Sequence, residues 1–450
     1  LFNLSLRNRL RVAGAHFKGG TRAVFLFAVA GFIAVGGYIV YNTTILNRFV
    51  TTKQGEKNLV SYEKTYKKYE GIPQPKVKAA NLNVEIYPDR RNLVINGTFK
   101  LKNETHDPID SVHVLLSEKV QLESCRIGDT SEIVLADTQQ GYYVVKLSER
   151  LIPGQSVDML FSLKVVNSGF TDDRGMVTIV ENGTFFNNMG FLPVIGYQSG
   201  RELQEVNKRK KYGLPPKGRM APRTDSVALQ STYLGAIGDW IDFEATVSTK
   251  EGQIAIAPGR LVRDWVENGR HYFHYKMDRP ILNFYAFLSA DYEVQADRWN
   301  DVDLKVYYHK GHEYNIDKMM EAMKASLDYF TKNYSPFQHS ELRIVEFPRY
   351  ASFAQSFSTT IPYSESIGFI ANLEDEEDID YVYYVTAHEI AHQWWAHQVI
   401  GGNVQGATLM SEALAQYSAL MVMEKRYGKD QMRKFLKHEL DKYLQGRRTE

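Results

Sequence analysis

The chain has 450 residues, 44% apolar and 24% charged, which excludes a disordered protein and leaves room for about three domains at ~150 residues each. A formal net charge of +1 gives no electrostatic reason to bind nucleic acid, so no such partner is expected. The single cysteine, Cys125, rules out an intrachain disulfide framework and reads as a small buried hydrophobe.

Residues 1–22 read as a cytoplasmic basic segment: they carry Arg7, Arg9, Arg11, Lys18 and Arg22 and no acid. Ala23 to Tyr41 is a run of nineteen uncharged residues. As a helix rising ~1.5 Å per residue it just crosses a hydrocarbon core of ~30 Å, which makes 23–41 a transmembrane helix and membrane lipid a partner. The excess of cations before it places the N-terminus in the cytoplasm and everything after Asn42 outside. A signal peptide has a shorter apolar core, and Tyr41-Asn42-Thr43-Thr44 is a poor cleavage site. The chain starts at Leu1 and its last residues still read as helix, so it is taken as a fragment of something longer.

Residues 42–74 read as a juxtamembrane stalk, with Tyr62, Tyr66 and Tyr69 at helical spacing, ended by Gly71-Ile72-Pro73-Gln74-Pro75. Residues 75–298 alternate with period two. Examples are Leu82, Val84 and Ile86; Val157, Met159, Phe161, Leu163 and Val165; and Ile241, Phe243, Ala245 and Val247. Successive side chains of a strand point to opposite faces, so this is a large antiparallel β domain without a long helix. Within it, Lys208-Arg209-Lys210-Lys211 reads as a solvated surface run.

Residues 299–450 form the second folded region. Val302, Leu304 and Val306 continue the alternation, and then the period changes. Ile316, Met319, Met320, Met323, Leu327 and Phe330 step by three and four, as on an amphipathic helix. Leu342–Phe347 and Gly368–Ala371 are expected as short strands, and Asp380 to Gln398 and Thr408 to Leu444 as helices. The acids from Glu374 to Asp380 precede a helix, where they favour the positive end of its dipole.

The decisive stretch is His388-Glu389-Ile390-Ala391-His392. On a helix, positions i and i+4 share a face, so His388 and His392 reach one ion, and neutral imidazole is a good zinc ligand. Glu389 points beside that ion, where it serves as general base to a water whose pKa the metal lowers toward ~7. Gly401-Gly402-Asn403 stops the first helix, and a second returning antiparallel brings Glu412 to the pair as third ligand, giving His₂Glu. His397, Trp394 and Trp395 read as packing residues.

With these residues in place, the chain from Lys76 to Glu450 resembles the membrane-associated zinc aminopeptidases related to aminopeptidase N and leukotriene A4 hydrolase, which are gluzincins. The resemblance is closest to bacterial proteins in which such a peptidase follows an ABC-type permease, through His397-Gln398-Val399-Ile400-Gly401 and Ser411 to Leu420. It implies an α+β thermolysin-like catalytic domain, C-terminally truncated here, after the β domain. It also implies one Zn2+ per chain, peptide substrates, and possible association with transporter subunits including an ATPase. The family's Gly-x-Met-Glu-Asn motif, whose Glu binds the substrate's amine, is matched at Glu365 and Gly368 only; its Gly, Met and Asn positions differ. Nineteen residues separate His392 from Glu412, one more than in most aminopeptidases of this kind and the same as in thermolysin-type endopeptidases. The family's oxyanion-stabilising tyrosine is expected beyond the chain's end.

The expected function is therefore a membrane-anchored zinc metallopeptidase, its catalytic part outside the cytoplasm. His388, His392 and Glu412 hold the metal, Glu389 is the base, and Glu365 holds the amine of a peptide trimmed from its N-terminus. Two rival readings are a binding or gating domain of a transporter permease with little catalysis, and a zinc endopeptidase.

Overall fold

A computed structural model describes residues 5–47, 49–170, 178–235, 238–373 and 379–447. The chain divides into two units, Leu1–Gly55 with Asn167–Gly175, and Glu56–Val166 with Met176–Glu450. In the first, a helix over Gly19–Val40 continues as a π-helix through Leu46. This 28-residue stretch is long and apolar enough to cross a membrane, and none of its most apolar window is buried.

In the second unit, an eight-stranded sheet carries the period-two segments. Lys76–Tyr87 runs parallel to Trp240–Lys250 at its centre, and antiparallel neighbours extend it on both sides. Leu82, Val84, Ile86, Leu93 and Ile95 are almost wholly buried on one face, each contributing about 1.5–3 kcal/mol relative to exposure. A four-stranded and a three-stranded sheet complete the β region. Its helices among the described residues are short ones, such as Asn188–Phe191 and Val206–Lys211.

Three local expectations change. The stretch read as a stalk has a helix, Thr52–Tyr66, in keeping with its tyrosine spacing, but Tyr62 and Tyr66 are buried; Tyr66 stacks on Tyr142 at 4.1 Å between ring centroids. The basic run at Lys208–Lys211 is not simply a solvated loop. It is helical, and Arg209 is buried with its guanidinium on Glu63 at 2.6 and 2.9 Å, a bidentate pair. Gly368–Ala371 is a turn instead of a strand, because the Asn315 amide donates to the carbonyls of Gly368, Phe369 and Ala371.

The sheet that positions the site has four strands: Glu293–Trp299, Val302–Tyr308, Glu341–Phe347 and Thr360–Ser364. The first pair is antiparallel and the other pairings are parallel. Its first strand begins upstream of residue 299, at Glu293. Beyond Thr360–Ser364 the segment Ala354–Phe357 bridges antiparallel to that strand and forms the rim of the sheet. The amphipathic helix Ile316–Asn333 buries Met319, Met320, Met323, Leu327 and Phe330 in one core with the helices Tyr381–Ala391 and Glu412–Tyr427. A further helix, Lys429–Arg447, follows Gly428, whose φ of 81° lets the chain turn between the two.

Candidate metal centre

The helix Tyr381–Ala391 begins at Asp380, whose side chain accepts the Tyr383 N–H at 3.0 Å. The acids at 374–378 lie outside the described residues. Two of the three expected ligands come from the end of this helix: His388 within it, and His392 as its C-cap, with the His392 N–H still bonded to the His388 carbonyl. The helix stops earlier than expected, and Trp394 and Trp395 turn into the core, their indole N–H groups donating to the Ser335 carbonyl and the Ser418 hydroxyl. Glu412 is the first residue of the next helix, which packs against the first and so returns to the histidine pair.

The three side chains converge. His388 Nε2 and His392 Nε2 stand 3.1 Å apart, and Glu412 Oε2 lies 3.6 Å from each. Ligands placed tetrahedrally at ~2.0–2.1 Å from a zinc ion stand about 3.3–3.4 Å apart, so this triangle has the size of a zinc face. The donor set, two imidazoles and one carboxylate, suits zinc as well. His392 Nδ1 sits 3.0 Å from the Trp395 carbonyl, which fixes the tautomer with Nδ1–H donating and leaves Nε2 free to ligate. Burial pushes His392 down to about 4, which keeps it neutral. Burial works the same way on His388 and is the largest single influence, but the carboxylates of Glu412, Glu389 and Glu439 together outweigh it and raise the imidazole.

Glu389 is buried and faces a cleft of about 260 Å³. Burial pushes its carboxyl up to about 7, helped by Glu412 and opposed by His388 and by the Ser356 N–H that it accepts. Ser356 is held in turn: Gln393 donates to its hydroxyl at 2.7 Å and to the Phe357 carbonyl at 2.9 Å, and accepts the Thr359 N–H at 3.1 Å. His397 is fully buried beside it, with ring nitrogens on the Ser358 hydroxyl and the Ser356 carbonyl. These residues fix the rim segment over Glu389. Gln393 gave no recognisable signal in the sequence.

The cleft is lined by Ser352, Phe353 and Ala354, which lead into the rim segment, and by Tyr381, Tyr384 and Val385 of the helix that carries His388. Gln416 and Lys442 reach in from the two following helices, and the Gln416 amide bonds the Tyr384 hydroxyl. Glu365 is placed elsewhere. It follows the end of its strand, its carboxylate accepts the Arg349 N–H at 3.0 Å, and it groups with His309, His312 and Glu346. That second group was missed, although His309-Lys310-Gly311-His312 is a metal-type spacing visible in the sequence. Cys125 is half-buried, and burial pushes its thiol up to about 11, an inert state.

No protein-family model matches the chain, and no curated protein matches it in sequence. Solved structures do match. The M1 zinc metallopeptidase from Deinococcus radiodurans superposes with a TM-score of 0.53 at 14% identity, over 79% of this chain and 72% of that one. A mutant of that enzyme bound to the substrate Tyr-Ser-Ala, and a two-domain mutant bound to L-tryptophan, match with TM-scores of 0.52 at the same identity and coverage. This chain therefore has the fold of the M1 zinc metallopeptidases.

Proposed function

We propose that the chain is a membrane-anchored zinc metallopeptidase that removes N-terminal residues from peptides. The observation that carries the reading is the triangle of His388, His392 and Glu412 ligand atoms, 3.1–3.6 Å on a side, with a buried carboxylate beside it. Zinc held there supplies a Lewis acid and a water acidic enough to be deprotonated near neutral pH. Glu389 is placed to take that proton and to return it to the leaving amine, and the Ser356 N–H keeps its carboxylate aimed. The Ser352–Ala354 rim is suited to lay an extended peptide along the cleft by strand addition. The fold neighbours named as bound to Tyr-Ser-Ala and to single amino acids support a substrate read from its first residue. Anchoring rests on the Gly19–Leu46 helix, and the cations before it argue for a catalytic part outside the cytoplasm.

One observation favours a second form of this reading, an endopeptidase. Glu389 is the one carboxylate among the described residues that line the cleft, and it is engaged as the base, so a substrate amine lacks a dedicated partner there. Glu365 is left out of the proposed mechanism, because its carboxylate belongs to the second group. Hydrolysis of a free peptide and of its N-acetylated twin separates the two forms. The exopeptidase cleaves the free peptide only, and comparable rates on both would establish the endopeptidase.

A further inference from the structure

The second His/Glu group sits where three neighbouring parallel strands end. Val302–Tyr308, Glu341–Phe347 and Thr360–Ser364 run side by side in one direction. His309 follows the first, Glu346 is the penultimate residue of the second, and Glu365 follows the third. His312 returns to the same place through a turn at Gly311, whose φ of 91° favours glycine; the His312 N–H bonds the His309 carbonyl at 3.0 Å. One ligand atom from each of the four residues lies within 4.8 Å of all the others.

Glu346 is completely buried. Its Oε1 is 2.5 Å from His312 Nδ1, and its Oε2 is 2.6 Å from the His309 backbone nitrogen and 3.4 Å from His309 Nδ1. Among the described residues no lysine or arginine side chain pairs with Glu346 or Glu365, so two carboxylates face two imidazoles with no permanent cation between them. Burying Glu346 in that balance, with the half-buried Glu365 beside it, is unfavourable unless something positive joins them, either two protons on the histidines or a metal ion. Two imidazoles and two carboxylates from four residues make a complete tetrahedral donor set. Nitrogen donors select a first-row transition ion such as zinc over magnesium or calcium, which take oxygen.

We propose that His309, His312, Glu346 and Glu365 form a second zinc site, closed by four protein ligands and therefore structural. It clamps the ends of the strands that carry the cleft. Ile367, two residues past Glu365, lines the cleft, and the hydroxyls of Ser366 and Ser352 stand 3.1 Å apart across its edge. The site would fix that wall without touching substrate.

The test uses the full chain with His388→Ala and His392→Ala, which lacks the first centre, equilibrated with zinc and then freed of excess. One zinc per chain is expected, falling to none when His312→Ala or, as a near-isosteric second variant, Glu346→Gln is added. Cobalt(II) in the same double variant should give the visible absorption of a four-coordinate site, whatever the folding of the triple variants. No retained metal in the double variant, or metal retained equally after His312→Ala, would overturn the proposal. Neither readout needs peptide hydrolysis, so failure here leaves the peptidase reading standing.

Discussion

The two His/Glu groups of this chain are built in opposite ways. The first hangs from two helices, with Glu412 largely exposed and a cleft in front of it. The second is sewn into the ends of three strands around a carboxylate that solvent does not reach. An open set of three ligands leaves a position for water and substrate, whereas a closed set of four leaves none. Where the ligands are mounted, and how many there are, decides whether such a group does chemistry or holds structure.

The largest effect that could break this contrast is removal of the first centre. His388→Ala with His392→Ala should lower hydrolysis at least ~10³-fold. The melting temperature should change little, since these ligands border a cleft, and calorimetry beside a peptide assay reads both. Gln393→Ala comes next. It strips the support from Ser356, Phe357 and Thr359 in a buried setting, so about 1–3 kcal/mol of stability should be lost. Slower turnover with zinc retained should accompany that loss, and a denaturant titration with paired zinc analysis measures it. The smallest effect is expected for His312→Ala, a drop in melting temperature of about 2–4 °C with the first centre's zinc unchanged. A reversal, with His312→Ala abolishing hydrolysis and leaving the fold's stability untouched, would reverse the roles assigned to the two groups.

The first group was legible because helix geometry is local. His388, Glu389 and His392 fall within one turn and a half, and a second helix opening at Glu412 brings that carboxylate back, although the first helix ends at His392 and not at the expected Gly401-Gly402. The period change near Ile316 likewise marked where sheet gives way to helix. What stayed hidden depends on partners distant in sequence. His309 and Glu346 meet only because parallel strands lie side by side. Arg209 looked like one of four exposed cations until Glu63, 146 residues away, took it into the interior. Gly368–Ala371 has the composition of a strand, yet Asn315 claims three of its carbonyls.

The most direct test of the central claim compares the full chain with its Glu389→Gln variant, both loaded with zinc to the same occupancy, on an unblocked peptide. The account predicts equal zinc content and a rate lower by about 10²–10⁴-fold in the variant, the range for loss of a positioned general base. Equal rates in the two proteins, or zinc bound by both with no hydrolysis by either, would contradict it.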